Sequence, residues 1–137
     1  MPTVVTKKGE VVILSAVFRV GQRNRIVDNG GAGGILANID PVTGIVYTNG
    51  ADEFGNTYVK HPQTGVVFRG FQIPRWDEAV SLAKDLASLN PRVRYVGWDL
   101  ALRADGWVLV EANNSGEFKV LQIADRRGLR EEPERLM

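Results

Sequence analysis

Residues 96–113 read VGWDLALRADGWVLVEAN, two runs of β-branched and large apolar residues about a central ADG, the pattern of a β-hairpin. With residues 104–106 as a three-residue loop and Gly106 in the left-handed position of a G1 bulge, Arg103 faces Trp107, Ala101 faces Leu109, Asp99 faces Glu111 and Gly97 faces Asn113. Alternation along each strand then puts Gly97, Asp99, Ala101, Leu109, Glu111 and Asn113 on one face, and Val96, Trp98, Leu100, Leu102, Val108, Val110 and Ala112 on the other. The second face is almost wholly apolar and is expected to be buried against a helix. The first sets two carboxylates opposite one another, which destabilises a sheet unless something neutralises them. A hard divalent cation such as magnesium does so, with Asn113 adding a neutral oxygen and Gly97 leaving room beside it. The same spacing also fits two carboxylates solvated at a sheet rim, or paired with Arg103 or another basic residue. A two-residue DG loop would send Asp99 and Glu111 to opposite faces and remove the argument.

Outward from the hairpin, residues 3–6 and 11–20 are β-branched runs separated by KKGE, which predicts a first hairpin whose long partner is a central strand. Strands are expected over 35–39 and 45–48 about the turn signal DPVTG, and shorter ones over 57–60 and 66–71 about HPQTG, with a loop over 49–56. Trp76, Ala79, Val80, Ala83, Leu86 and Ala87 recur at helical spacing. A helix is therefore expected from near Pro74 to about Ser88, stopped by Asn90 and Pro91. A short helix is expected over 118–125. Hairpins rather than regular βαβ units argue for an α+β fold, a mostly antiparallel sheet with helices packed on one face. Residues 1–125 form a single expected domain, and the charged residues 126–137, which include Pro133, a loosely held tail.

The bulk properties narrow the functional classes. At 137 residues the chain can close a real core, and 44% hydrophobic with 24% charged residues is a globular balance. A formal charge of +1 gives no global field to hold nucleic acid. The absence of cysteine excludes disulfide scaffolds, thiolate catalysis and zinc-thiolate sites. No stretch approaches the ~18 apolar residues of a membrane span, and the N-terminus reads as strands rather than a signal peptide. The expected location is the cytoplasm. His61 is the single histidine, so a histidine-based metal site within one chain is excluded. Its place in HPQTG favours a loop-structural hydrogen bond over a substrate contact. The segment 28–34, DNGGAGG, can turn several backbone N–H groups toward a phosphate or can be a plain surface loop. It is neither a P-loop nor a dinucleotide fingerprint.

Residues 97–116, GWDLALRADGWVLVEANNSG, are similar to the C-terminal strand pair of the ATP-grasp superfamily. There an Asp on one strand and a Glu-x-Asn on the next hold the magnesium ions that bridge ATP phosphates. Together with RVGQRNRIVDNGGAGGILANID and HPQTGVVFRGFQIPRWDEA, the chain resembles more narrowly the sugar-transfer-associated branch, related to α-L-glutamate ligases. Its motifs Arg-Val-Gly, Asp-Asn-x-x-Ala-Gly-Gly, His-Pro-x-Thr-Gly, Ile-Pro-x-Trp, Gly-Trp-Asp and Glu-x-Asn occur in order over roughly residues 11–125.

The resemblance implies ATP- and magnesium-dependent ligation of a carboxylate to an amine through an acyl phosphate. Asp99, Glu111 and Asn113 would hold the metal, and Asp28, Asn29, Gly33 and Gly34 would approach the phosphates and the acceptor. Arg19, with Arg25 as second choice, would face the triphosphate. Phenylalanine or histidine is more usual where this chain has Gly30 or Gly31, which bears on acceptor contacts. Only the second of two ATP-clamping lobes is represented. The chain is therefore expected either to be a fragment, to assemble with a separate N-terminal-lobe chain or a second copy of itself, or to have given up catalysis. In the last case it would be a stand-alone lobe binding nucleotide, metal or another protein.

Overall fold

The β-branched run at 11–20 does not form one strand. It breaks after Leu14, whose N–H donates to the Pro2 carbonyl at 3.0 Å, and Ser15, whose hydroxyl is buried without a partner. The break lets the chain leave one sheet and enter another, which corrects the expected long central strand. The computed structural model describes residues 1–21 and 34–114. Strands β1 (Pro2–Val5), β2 (Val11–Ile13), β7 (Tyr95–Arg103) and β8 (Gly106–Asn113) form one antiparallel sheet in the order β2-β1-β7-β8. Strands β3 (Ala16–Val20), β4 (Ile35–Ile39), β5 (Gly50–Ala51) and β6 (Thr57–Tyr58) form the second, in the order β3-β4-β5-β6. Thus β2 and β3, expected as one interior strand, each lie at a sheet edge.

The expected strand over 45–48 is reduced to single bridges, Ile39 to Val46 and Ile45 to Gln72, and that over 66–71 to the bridge from Lys60 to Val67. Gly50 and Ala51 pair as β5 within what was expected to be loop. The DPVTG turn forms as read. Asp40 accepts the N–H groups of Val42 and Thr43 on one carboxylate oxygen, at 2.8 and 3.1 Å, and Gly44 takes φ +74° against the Trp76 ring. A side chain at 44 would collide with that ring, so glycine is required by both backbone and space.

The helix α1 (Trp76–Leu89) carries the apolar stripe read from the sequence and ends at Asn90. Trp76 and Ala79 join a core with Ile35, Ala37, Ile39, Val46, Phe68 and Ile73, on one face of the β3-β4-β5-β6 sheet. Ala83 and Ala87 pack instead against Trp98 of β7. One helix therefore serves both sheets, and the α+β architecture is as expected. The expected helix at 118–125 and the tail at 126–137 lie outside the described residues.

Asp52 shows how polar groups are accommodated in this core. It is 4% exposed, and its carboxylate accepts the N–H groups of Phe54 and Asn56, the Asn56 amide and the Tyr58 hydroxyl, at 2.9–3.0 Å. Burial acts to raise its pKa, but the four bonds together outweigh burial and hold the carboxyl below its ordinary 3.8. Its contribution is complete above that value and is lost as acid carries the protein through the lowered folded-state value. Asp52→Asn turns an acceptor toward donors as a donor itself, and is expected to cost about 2–4 kcal/mol in urea unfolding at neutral pH.

Candidate functional site

The hairpin turn is tighter than its sequence suggests. Arg103 pairs with Gly106, Leu102 with Trp107, Ala101 with Val108 and Leu100 with Leu109, leaving Ala104 and Asp105 as a two-residue loop. This corrects the three-residue loop and the pairings read near it. The register then shifts between Leu100 and Asp99, where Val110 is the extra residue of a bulge, and beyond it Asp99 faces Glu111, Trp98 faces Ala112 and Gly97 faces Asn113. One displacement at the turn is cancelled by one at the bulge. The carboxylates therefore meet as expected, while Leu109 takes the place opposite Leu100 expected for Val110, and Trp107 that opposite Leu102 expected for Val108.

That apolar face is fixed by Trp98, 7% exposed against Ala83 and Ala87. Its indole N–H donates to the Thr3 hydroxyl at 2.8 Å, and its backbone N–H to the Met1 carbonyl at 3.0 Å. Alternation puts Asp99 on the side away from the helix. The turn itself is pinned from α1, because the Trp107 indole N–H is shared between the carbonyls of Pro74 and Arg75, at 3.2 and 3.0 Å. Arg75, in the left-handed region at φ 54°, pairs with Glu78 at 2.7 Å.

Asp99 and Asn113 are half-buried and Glu111 is exposed. Among the described residues neither carboxylate is in an ion pair, and Arg103, a candidate to neutralise them, is paired with Asp105 at 3.3 Å. No three His, Cys, Asp or Glu among the described residues gather closely enough to hold a metal. The donor set is two carboxylates and an amide. That suits magnesium, which keeps several waters and takes its other oxygens from phosphates. A shallow apolar groove of ≈ 220 Å³ opens on the helix side, lined by Leu86, Ala87, Val96 and Trp98 among others. The carboxylate pair does not line it.

Arg19 stands on the other sheet. Ala16, Phe18 and Val20 point into the core and Arg19, exposed and paired with Leu36, points away from it. The Met1 amino group, which donates to the Trp98 carbonyl at 2.9 Å, is acted on by both charges. Its burial lowers its pKa from 8.0 to about 6, with Asp99 opposing and Arg19 adding to the fall. The charges of Arg19 on β3 and of Asp99 on β7 are thus both felt at the Met1 amine. Sequence reading missed the Met1 amine, because it paired the first strand only with its hairpin neighbour; the β1–β7 pairing has no local signal. Gly34 is buried at the entry to β4. Arg25, Asp28, Asn29 and Gly33 lie outside the described residues.

The family model of sugar-transfer-associated ATP-grasp matches residues 2–136. The chain belongs to that family. Neither the curated proteins nor the solved structures gave a match. Within this ATP-grasp domain, the facing carboxylates belong to the segments Gly97-Trp98-Asp99 and Glu111-Ala112-Asn113. No helix among the described residues is long and apolar enough to cross a membrane.

Two consequences are measurable without any ligand. Removing one of two facing like charges relieves repulsion, so Glu111→Gln is expected to stabilise the metal-free chain by about 0.2–1 kcal/mol in urea unfolding; a loss of stability would mean that Glu111 already has a partner. For a chain with a free Met1 amine, the unfolded state holds a proton that the folded state has released between pH 6 and 8. Stability is therefore expected to rise with pH across that window, by up to about 3 kcal/mol from this group, as read from unfolding curves at pH 5.5, 7 and 8.5.

Proposed function

We propose that this chain is the magnesium- and nucleotide-holding lobe of an ATP-dependent carboxylate–amine ligase that works through an acyl phosphate. The observation that carries the reading is the pair of facing carboxylates, Asp99 and Glu111, with Asn113 beside them and no ion pair to either among the described residues, in a member of the ATP-grasp family. Asp99, Glu111 and Asn113 would hold the metal, which when bound supplies charge neutralisation at the phosphate oxygens. Arg19 adds a fixed positive charge where transfer of the γ-phosphoryl group develops negative charge. Gly97, opposite Asn113, keeps the face open beside the carboxylates. The contribution of the chain's own residues is alignment and charge; no side-chain nucleophile is required, because the substrate carboxylate attacks the γ-phosphorus with release of ADP, and the amine then attacks the acyl carbon, loses its proton and displaces phosphate.

A second reading is a lobe that holds magnesium nucleotide without turnover. Lys7 and Lys8, the two lysines of the first hairpin, are exposed in the turn between β1 and β2, which favours it. In either reading we place the opposite side of the nucleotide against a second lobe, from another chain or a second copy.

Calorimetric titration with ATP, with and without magnesium, is expected to show magnesium-dependent binding that Glu111→Ala weakens at least tenfold, about 1.4 kcal/mol. Unaltered binding in the variant would remove nucleotide from the hairpin. Phosphate release on adding carboxylate and amine substrates separates the ligase from the non-catalytic lobe.

A further inference from the structure

The His61 side chain is held at both ring nitrogens. Its Nδ1 lies 3.3 Å from the Thr64 backbone N–H, and its Nε2 lies 3.1 Å from the Gly21 carbonyl, forty residues away in sequence. A backbone N–H only donates, so Nδ1 is the acceptor and Nε2 carries the proton given to Gly21. The ring stands edge-on to Phe68, with centroids 6.3 Å apart and planes at 61°. Phe68 is itself buried in the core.

Neither partner depends on this bond for its fold. The turn around His61 closes on itself, through His61 N–H to the Val66 carbonyl at 2.8 Å, Gly65 N–H to the His61 carbonyl at 2.9 Å and Phe68 N–H to the Val59 carbonyl at 3.0 Å. Strand β3 is paired with β4 along its whole length, from Ala16 with Ile39 to Val20 with Ile35. What the imidazole adds is a fixed position for Gly21, immediately beyond β3 and two residues after Arg19.

We propose that His61 is a positioning residue for the nucleotide site: by holding the Gly21 carbonyl just beyond the last β3–β4 pair, Val20 with Ile35, it keeps that end of the edge strand from fraying, and with it the backbone that carries Arg19. This rests on the reading of Arg19 as a phosphate-facing group. It gives the His-Pro-x-Thr-Gly motif a role at a distance, through backbone, without contact to substrate. A glutamine at 61 can place an N–H near the position of Nε2, whereas an asparagine reaches only the position of Nδ1, and both lose the ring contact with Phe68 equally.

The test compares His61→Gln with His61→Asn in the full chain, by calorimetric titration with ATP and magnesium, with melting in the absence of nucleotide as the control. The two variants are expected to melt alike, while His61→Gln binds within about twofold of wild type and His61→Asn about tenfold more weakly, the order of effect of one hydrogen bond. Equal affinities for the two variants at equal stability would overturn the positioning role. Should the wild-type chain bind no magnesium nucleotide, the proposed function falls and this inference with it. Wild-type binding that is lost in Glu111→Ala but unaffected in His61→Asn would overturn this inference alone.

Discussion

The pairing of β1 with β7 is the constraint on which the rest of the molecule depends. It joins Pro2, Thr3 and Val4 to Gly97, Val96 and Tyr95 across more than ninety residues. Without it, β7 and β8 would be an isolated hairpin, an arrangement that is marginal in water at best. With it, β7 becomes an interior strand and Trp98 gains the Thr3 hydroxyl for its indole. The Arg94 guanidinium reinforces the join by donating to the Val5 carbonyl at 3.0 Å. Closing so long a loop is entropically costly, and burial of the Trp98 ring between the sheet and α1, worth about 3–5 kcal/mol on truncation to alanine, is the kind of gain that offsets it.

The position of the carboxylates depends on a compensation within that sheet. A two-residue turn alone would have rotated Glu111 to the helix side, opposite Trp98, and parted it from Asp99. The bulge at Val110 takes up the odd residue, leaving Val110 66% exposed at the sheet edge. Trp98 and Leu100 pack on the helix side, and beyond the bulge Asp99 and Glu111 share the other. The bulge also interrupts the exposed edge of β8, where an unbroken ladder would invite pairing with other chains.

These relations explain what sequence reading reached. The two faces of the hairpin were legible beyond the bulge because alternation of apolar and polar residues is local and the cost of inverting it is large. The turn was misread because Ala-Asp-Gly chemistry suits a two-residue as well as a three-residue connection, and no residue type marks Val110 as the bulge. The run at 11–20 gave no sign of its division, since Leu14 and Ser15 continue a β-compatible pattern and the break is forced by β1 and β4 lying in different sheets. The motif around His61 suggested a structural hydrogen bond, and the structure supplies its partners, Gly21 and Thr64; neither partner could be chosen from spacing.

What relates the sheet of Arg19 to the sheet of Asp99 is the helix that packs on both. Trp76 and Ala79 belong to the core under β4, Ala83 and Ala87 to the core under β7. At 1.5 Å per residue the three alanines span about 12 Å along one side of α1, and each is at most 4% exposed. A methyl group at every fourth position lets both sheets approach the helix axis closely, and a rigid helix fixes their separation along its length. The relative placement of a guanidinium on one sheet and two carboxylates on the other is thus set by packing on the far side of both sheets. The apolar face of each strand determines where its charged face points, and the small residues of α1 determine how far apart those charged faces stand.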